Sequence, residues 1–458
     1  MGKKKKVWES MLTRGKQKEK GFLQVALILL TSFIVFFYSF EDLWEYKIHA
    51  LYLVTGFIGV FIVAGCMIYG RKYRNYDTCL WFLFFFFGLI STLYNQGISL
   101  EYVLSHFVCV WSAFLAMYYS VQAADDPHKL ITIMCGVSSI PLSALCICAL
   151  IKASRDLLLE YPVHDKTYGC FQLGRLCASG NANALGIAAA TLVIVAGTCL
   201  LYDKGILRIV FGLLVALGWF CIGLTGCRTV MVGIAFTAGI FVLLVLCRDR
   251  RFLKTDKKAL RLTVALTGAV LLFFVVLKSF LIPMNIYRFS MRTYGNLTDQ
   301  EFLLSNLEKL VVRRISDDDG TFSDRAVIWK SCMEQSIKSA GRFLLGISPL
   351  SKEVIKDVYA GRHDIDTSHA HNIYIEILRK HGILGLLTII MLISSWVKNG
   401  IKILLGRNER AYIQFLIAAS YGILLMGMTE PVPFSYISCC YASVPFFITC
   451  GYVYAVGN

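Results

Sequence analysis

Imidazole, amide and guanidinium groups recur in this chain at the ends of apolar stretches, where an ionisable group is costly unless it has a function. The densest set is His369, His371 and Asn372, which lies just before a long apolar run. A neutral imidazole near pH 7 is what a general base requires. A lone buried histidine is usually structural, but here two imidazoles and an amide are grouped. We therefore predict that His371 is a general base and that His369 and Asn372 contact substrate.

The surrounding residues predict a helix from about 369 to 380, capped by Thr367 or Ser368 and ended by Gly382. His371 would then lie in the first turn, where the helix dipole disfavours an imidazolium. It would also share a face with apolar residues and so point toward the protein.

A second set is the short turn Thr225-Gly226-Cys227-Arg228 between two apolar runs. An arginine here can simply extend its guanidinium to the membrane surface. Function is favoured, because Arg228 is the only basic residue of a very tight turn, on the side where basic residues are disfavoured. The planar guanidinium also suits a diphosphate.

A third set runs from Arg175 to Gly186 and opens another apolar run. Asn181 or Asn183 is placed to cap that helix, and the free amides at a helix start attract phosphate. A purely structural role, in helix capping and close packing, explains the presence of the two asparagines equally well.

A fourth set contains Arg325 in Ser323-Asp324-Arg325. Ser323 or Asp324 can cap a helix, which places the arginine in the first turn, next to the positive end of the helix dipole. That conflict indicates an anionic partner. The partner is either a ligand or an acidic residue of the same loop, Asp324 or one of 317–319.

These sets must be positioned by membrane helices. Hydrophobic residues make up 57% of the 458 positions and charged residues 17%, and the mean hydropathy is +0.62. An apolar run needs about 20 residues to cross a bilayer. It must be helical there, because lipid offers no hydrogen-bond partner to the backbone N–H and C=O groups. Twelve runs qualify: 22–40, 48–69, 79–94, 102–120, 130–151, 181–201, 206–224, 229–247, 260–282, 383–400, 411–428 and 434–456.

Lysine and arginine fall mostly in alternate short loops, on the side of the N-terminus. This bias predicts that both termini are cytoplasmic and that the long polar loop is outside. The net charge of +16 is therefore a topology signal rather than evidence for nucleic acid. The expected organisation is a basic tail (1–21), helices 1–9 (22–282), an outer loop subdomain (283–381) with helices over 299–314 and 324–340, and helices 10–12 (382–458).

The chain has 16 cysteines, mostly inside apolar runs, where they act as small hydrophobic residues. The sequence contains no C-x-x-C pair, so a metal site is not expected. Cys170 and Cys177 share one outer loop; they can form a disulfide, although two thiols are the favoured alternative.

The four sets together resemble the O-antigen ligase and O-antigen polymerase superfamily of bacterial envelope glycosyltransferases. Two positions depart from the family pattern: Ala182, where proline is common, and Cys227, where serine is common. The resemblance covers about 175–400, and its matching segments are Arg175 to Gly186, Thr225 to Arg228, Arg325 to Lys330, Leu344 to Ile347, His371 to Tyr374 and Gly382 to Leu386.

The resemblance implies an all-α polytopic membrane protein of about 12 transmembrane helices with one large, partly helical extracytoplasmic loop, a GT-C-like fold. It implies a glycan donor on undecaprenyl diphosphate at the outer face of the bacterial cytoplasmic membrane, and no cofactor or metal. Arg228 and Arg175 would hold the diphosphate, with Arg325 a weaker candidate. Glu376 would orient a histidine or a sugar hydroxyl.

Two questions stay open at the level of sequence. The acceptor can be a glycan, a lipid, a wall polymer or a protein, so polymerase and ligase are not separated. A transporter or flippase of lipid-linked glycans is the alternative of a different class. That class typically has broken or charged helices near the midplane, whereas the polar sets here gather at one face.

The predicted topology can be tested with reporter fusions. A reporter fused after Asn458 should be active only in the cytoplasm, and one inserted near Asp318 only outside. Cytoplasmic activity at Asp318 would place the loop and an outer-leaflet donor on different sides of the membrane and would end the surface-glycan hypothesis.

Overall fold

The structure, a computed structural model, describes most of the chain. The described residues are 24–36, 49–69, 76–96, 109–158, 171–172, 175–177, 182–248, 258–298, 303, 323–349, 351, 370–406, 409–434 and 440–457.

Almost all of this part is helical. A two-residue antiparallel pairing joins β1 (Phe171–Gln172) to β2 (Arg175–Leu176), with Phe171 opposite Leu176. The helices are α1 (Gln24–Phe36), α2 (His49–Tyr69), α3 (Tyr76–Gln96), α4 (Cys109–Ala123), α5 (Pro127–Leu158), α6 (Ala182–Tyr202), α7 (Ile206–Thr225), α8 (Arg228–Arg248), α9 (Lys258–Ser279), α10 (Ile282–Leu297), α11 (Ser323–Ile337), α12 (Ala340–Leu345), α13 (Ile373–Gly406), α14 (Ala411–Met426) and α15 (Ser443–Gly457), the last preceded by a 3₁₀ turn (Cys440–Ala442).

The prediction of an all-α polytopic membrane protein is confirmed. Each of the twelve apolar runs contains a described helix. Among the described residues, seven helices are long and apolar enough to cross a membrane, and α1, α14 and α15 are shorter apolar helices. The number of spans, twelve, stays a prediction.

Helix α6 lies at the centre of the bundle. Nearly all of its residues are buried, whereas α7 and α9 leave apolar side chains such as Ile206, Leu213 and Val275 exposed. An apolar surface of this kind suits contact with lipid. The core therefore surrounds α6, and the helices around it present the lipid-facing surface.

In the loop region the prediction for 324–340 matches α11. The other predicted helix, 299–314, lies outside the described residues apart from Leu303. Helix α10 follows α9 after a short turn and so occupies the start of the predicted subdomain at 283. The domain boundaries themselves stay predictions.

The predicted helix start at about 369 is wrong. Helix α13 begins at Ile373, and the side-chain Oδ1 of Asn372 accepts hydrogen bonds from the backbone N–H groups of Tyr374 and Ile375 (3.0 and 3.2 Å). Asn372 is thus the N-cap. His371 precedes the helix with a left-handed backbone (φ 47°), so it does not share a helical face with Ile375. The expected caps, Thr367 and Ser368, are outside the described residues.

The predicted helix end at Gly382 is confirmed as a break inside α13, with φ 67° and ψ −173°. Glycine adopts this backbone without the steric cost of a Cβ. The break leaves carbonyl groups without helical partners. The N–H groups of Ile347 and Ser348 donate to the carbonyls of Arg379 and Lys380 (2.8 and 3.1 Å). This pairing attaches the end of α12 to the membrane helices.

Small residues bring α8 and α14 into close contact. A Cβ built on Gly422 of α14 would lie 2.7 Å from the carbonyl oxygen of Gly233 on α8 and would also overlap the Thr237 hydroxyl. Small residues at such crossings let membrane helices approach closely. The approach matters for the site described below because the start of α8 and the end of α14 meet there.

We expect Gly422→Ala to destabilise the protein by about 1–3 kcal/mol, the usual cost of overpacking a well-filled core. The check is the midpoint of thermal unfolding in one detergent. Gly212→Ala on α7 is the matched control, since a Cβ there meets only a Leu200 methyl at 3.7 Å. Equal midpoints for Gly422→Ala and wild type would contradict the close packing of α8 and α14.

Candidate functional site at one end of the helix bundle

Five helix ends converge at one end of the bundle. Helix α7 ends there and α8 begins there, joined by a tight turn in which Gly226 is left-handed (φ 59°, ψ 23°). The start of α8 contacts the end of α14 through the hydroxyls of Thr229 and Thr429 (2.8 Å). The start of α13 contacts it through the Ile373 N–H, which donates to the Gly427 carbonyl (2.9 Å). Helix α6 begins beside the same turn, where a Cβ on Gly186 would lie 2.8 Å from the Cys227 Cβ.

Glu430, just beyond α14, is the centre of the polar groups at this end. Its carboxylate is 3% exposed. Oε1 accepts from Asn183 Nδ2 and from Arg325 Nη2, each at 2.9 Å, and Oε2 lies 3.6 Å from His371 Nδ1. We refer to Asn183, Arg325, His371 and Glu430 as the Glu430 cluster. Its members come from α6, α11, the segment before α13 and the segment after α14.

Arg175 on β2 is tied to this cluster. Its Nη2 donates to Asn183 Oδ1 (2.6 Å), and its Nε donates to the Thr225 carbonyl (2.7 Å). The side-chain amide of Asn183 therefore bridges Arg175, through its Oδ1, and Glu430, through its Nδ2. The backbone carbonyl at the end of α7 is satisfied by the same guanidinium.

Arg325 has a partner that the sequence analysis did not predict. Its predicted partner was either an anionic ligand or an acidic residue of its own loop. The structure pairs it with Glu430, which comes from a different segment, and leaves 28% of its side chain exposed. Arg325 thus has a carboxylate partner in the protein and stays partly accessible, and its predicted pairing with a ligand or with an acidic residue of its own loop stays a prediction.

Arg228 is the first residue of α8, and its side chain is exposed at the rim of the site. The turn that presents it is buried: Thr225 and Cys227 are each at most 1% exposed. Burial raises the pKa of the Cys227 thiol to about 12, so this cysteine is protonated at neutral pH and is not a nucleophile. The turn thus provides a rigid base for a solvent-facing cation.

His371 is held between two anchored neighbours, and its own side chain is 24% exposed. On one side, the Ala370 N–H donates to Glu376 Oε2 (2.9 Å), and the Ala370 carbonyl accepts from Trp329 Nε1 (3.0 Å). On the other side, Asn372 Nδ2 donates to the Met428 carbonyl (2.9 Å). These bonds fix the backbone through His371 in a conformation that non-glycine residues rarely adopt.

Glu376 and Asn372 are both buried beside the segment that carries His371. Glu376 is 7% exposed and forms ion pairs with Lys380 (3.0 Å) and Arg379 (3.5 Å), both also buried. Asn372 is 8% exposed. Both residues bond to the backbone that holds the loop carrying His371. The predicted substrate contact of Asn372, and the role predicted for Glu376 in orienting a histidine or a sugar hydroxyl, stay predictions.

A small apolar core supports the same loop. Ile328, Cys332 and Ala370 are buried together, with Trp329 and Ile375 packed against them. Burial raises the pKa of the Cys332 thiol to about 12. The thiol is therefore neutral and acts as an apolar contact between α11 and the segment before α13.

The remaining predicted site residues fall outside the described residues. These are Asn181, His369 and, for the disulfide alternative with Cys177, Cys170. Within the described part of the chain, no group of three or more His, Cys, Asp or Glu side chains is arranged to hold a metal ion.

Sequence reasoning missed Glu430. A signal was present, since an acidic residue lies two positions after the apolar run 411–428 and directly before Pro431. The argument used for Arg228, that ionisable groups at the end of a membrane helix are usually functional, applies equally to this carboxylate.

Fold and site together define a multi-pass membrane protein with a cationic, histidine-containing site at one end of its helices. Residues 213–390 match the family described as O-Antigen ligase, and this match confirms the resemblance seen in the motifs. The matched region contains the turn before Arg228, helix α11 and His371. No curated protein matches the chain.

Proposed function

We propose that this protein is a membrane glycosyltransferase that transfers or polymerises glycans carried on undecaprenyl diphosphate, at the outer face of the bacterial cytoplasmic membrane. The observation that carries the proposal is the gathering of Arg175, Arg325 and His371 around one carboxylate, with Arg228 exposed beside them. The match of residues 213–390 to the O-Antigen ligase family supports a reaction of this kind.

The donor diphosphate would bind at the rim formed by Arg228. A guanidinium offers paired donors that match phosphate oxygens, and Arg228 stands at the start of α8, where the positive end of the helix dipole also favours an anion. Arg175 and the exposed part of Arg325 lie deeper. Cations in these places stabilise the negative charge that develops on the diphosphate as it leaves.

His371 would act on the acceptor. Its imidazole takes the proton of an acceptor hydroxyl while that oxygen attacks the anomeric carbon of the donor. The new glycosidic bond forms as the bond to the diphosphate oxygen breaks, and the bond's electrons leave with undecaprenyl diphosphate. The energy comes from the diphosphate leaving group, so the proposal needs neither a nucleotide sugar nor a metal.

The proposal includes both polymerase and ligase, which use the same donor. We favour polymerase slightly, because no acceptor-specific feature is visible in the sequence. A ladder of lengthening lipid-linked chains would identify a polymerase. A single transfer to a separate lipid, wall polymer or protein would identify a ligase.

Arg228→Lys should lose most transfer activity although the charge is kept, because an ammonium cannot form the paired hydrogen bonds of a planar guanidinium. Protein abundance should not change. Arg208→Lys is the matched control, since that arginine is also exposed but lies in the first turn of α7, at the opposite end of this helix from the turn that carries Arg228. Near-normal glycan output from Arg228→Lys would show that this arginine only supports topology.

His371→Ala should lower the transfer rate by about 10²–10⁴-fold, as expected for loss of a general base, and leave donor binding largely intact. The assay is purified protein in detergent or liposomes with lipid-linked glycan and a chelator, with product sizes read on a gel. His369→Ala should do less. Full activity in His371→Ala would refute the base, and inhibition by the chelator would refute a metal-free reaction.

A further inference from the structure

A carboxylate that no sequence motif singled out faces the imidazole of His371. Glu430 Oε2 lies 3.6 Å from His371 Nδ1. That separation is longer than a hydrogen bond. Catalytic hydrogen bonds are often long in the absence of substrate and shorten only in the complex. The contact is therefore of the kind that a carboxylate orienting a catalytic histidine would show.

The two oxygens of Glu430 have different surroundings. Oε1 accepts from Asn183 and Arg325, both at 2.9 Å. Oε2 is the atom that faces the imidazole. Oε1 already accepts hydrogen bonds from two donors, one on α6 and one on α11. The carboxylate therefore cannot rotate without breaking those bonds. Oε2 is thus directed at His371 by groups on other helices.

Exposure distinguishes the two residues. Glu430 is 3% exposed and His371 is 24% exposed. An acceptor hydroxyl can reach the histidine, whereas the buried carboxylate faces protein groups on both oxygens. If both residues serve one proton transfer, His371 is the one that touches the acceptor.

We propose that Glu430 is a positioning residue that acts through His371. Its carboxylate holds the proton on Nδ1, which leaves the Nε2 lone pair for the acceptor hydroxyl. When Nε2 takes that proton, the imidazolium forms beside a fixed negative charge and is stabilised by it. Arg325 balances the buried carboxylate before the reaction. This inference rests on the proposed role of His371 as the base.

The test is kinetic and uses the assay proposed for His371→Ala. Glu430→Gln keeps the size and an acceptor oxygen but removes the charge. It should lower kcat by about 10²-fold, the lower range for disabling a general base, with the KM for the lipid-linked donor unchanged. Glu334→Gln on α11 is the matched control: this exposed glutamate pairs with Lys330 at 3.9 Å and its loss should leave kcat unchanged.

Coupling to His371 is measured with a double variant. Residues that act as a unit are not additive, so Glu430→Gln should cause no further loss of kcat in a His371→Ala background. A loss of the same factor in both backgrounds would overturn the proposal, because Glu430 would then act independently of the histidine. Wild-type kcat in Glu430→Gln would overturn it as well.

Glu430→Gln also leaves Arg325 beside a neutral amide, which can lower stability. The pair Arg325→Gln and Arg325→Gln/Glu430→Gln avoids this, since the second variant has no uncompensated charge. The double variant Arg325→Gln/Glu430→Gln should still have a lower kcat than Arg325→Gln alone. Equal kcat values for these two variants would show that Glu430 serves only to bind Arg325. Full activity of His371→Ala would instead refute the base, and with it the proposed function.

Discussion

A carboxylate that is almost inaccessible to water imposes the geometry of this site. An ionised carboxylate is expensive to bury unless donors and cations surround it. Glu430 meets that requirement with an amide from α6, a guanidinium from α11 and an imidazole before α13. None of the three is near it in sequence. Satisfying one charge therefore brings together the start of α6, helix α11 and the segments before α13 and after α14.

Helix ends provide the second constraint. The first N–H groups and the last C=O groups of each helix need partners outside the helix. Here several of those partners are the residues that position His371: Asn372 caps α13 and reaches the Met428 carbonyl, and Arg175 satisfies the last carbonyl of α7. The bonds that complete the helices also fix the loop that carries His371. A substitution at one of these positions is consequently expected to change stability and activity together.

Much of this arrangement was predictable from local pattern. Long apolar runs determine the membrane helices, because lipid leaves the backbone no alternative. The break at Gly382 follows from a glycine between a polar and an apolar stretch. The start of α13 was misplaced because 367, 368 and 372 all carry side chains that can cap a helix, and only tertiary contacts select Asn372. The convergence on Glu430 depends on contacts such as that with Asn183, which is 247 positions away, and no local rule reports such a contact.

The junction between α12 and α13 has a consequence for how the chain tolerates change in length. Consecutive N–H groups of Ile347 and Ser348 pair with consecutive carbonyls of Arg379 and Lys380, and the Gly346 backbone lies against Gly382 with no room for a Cβ at either glycine. One extra residue between Gly346 and Ser348 would shift both bonds out of register at once. In this short segment, the number of residues is constrained as strictly as their identity.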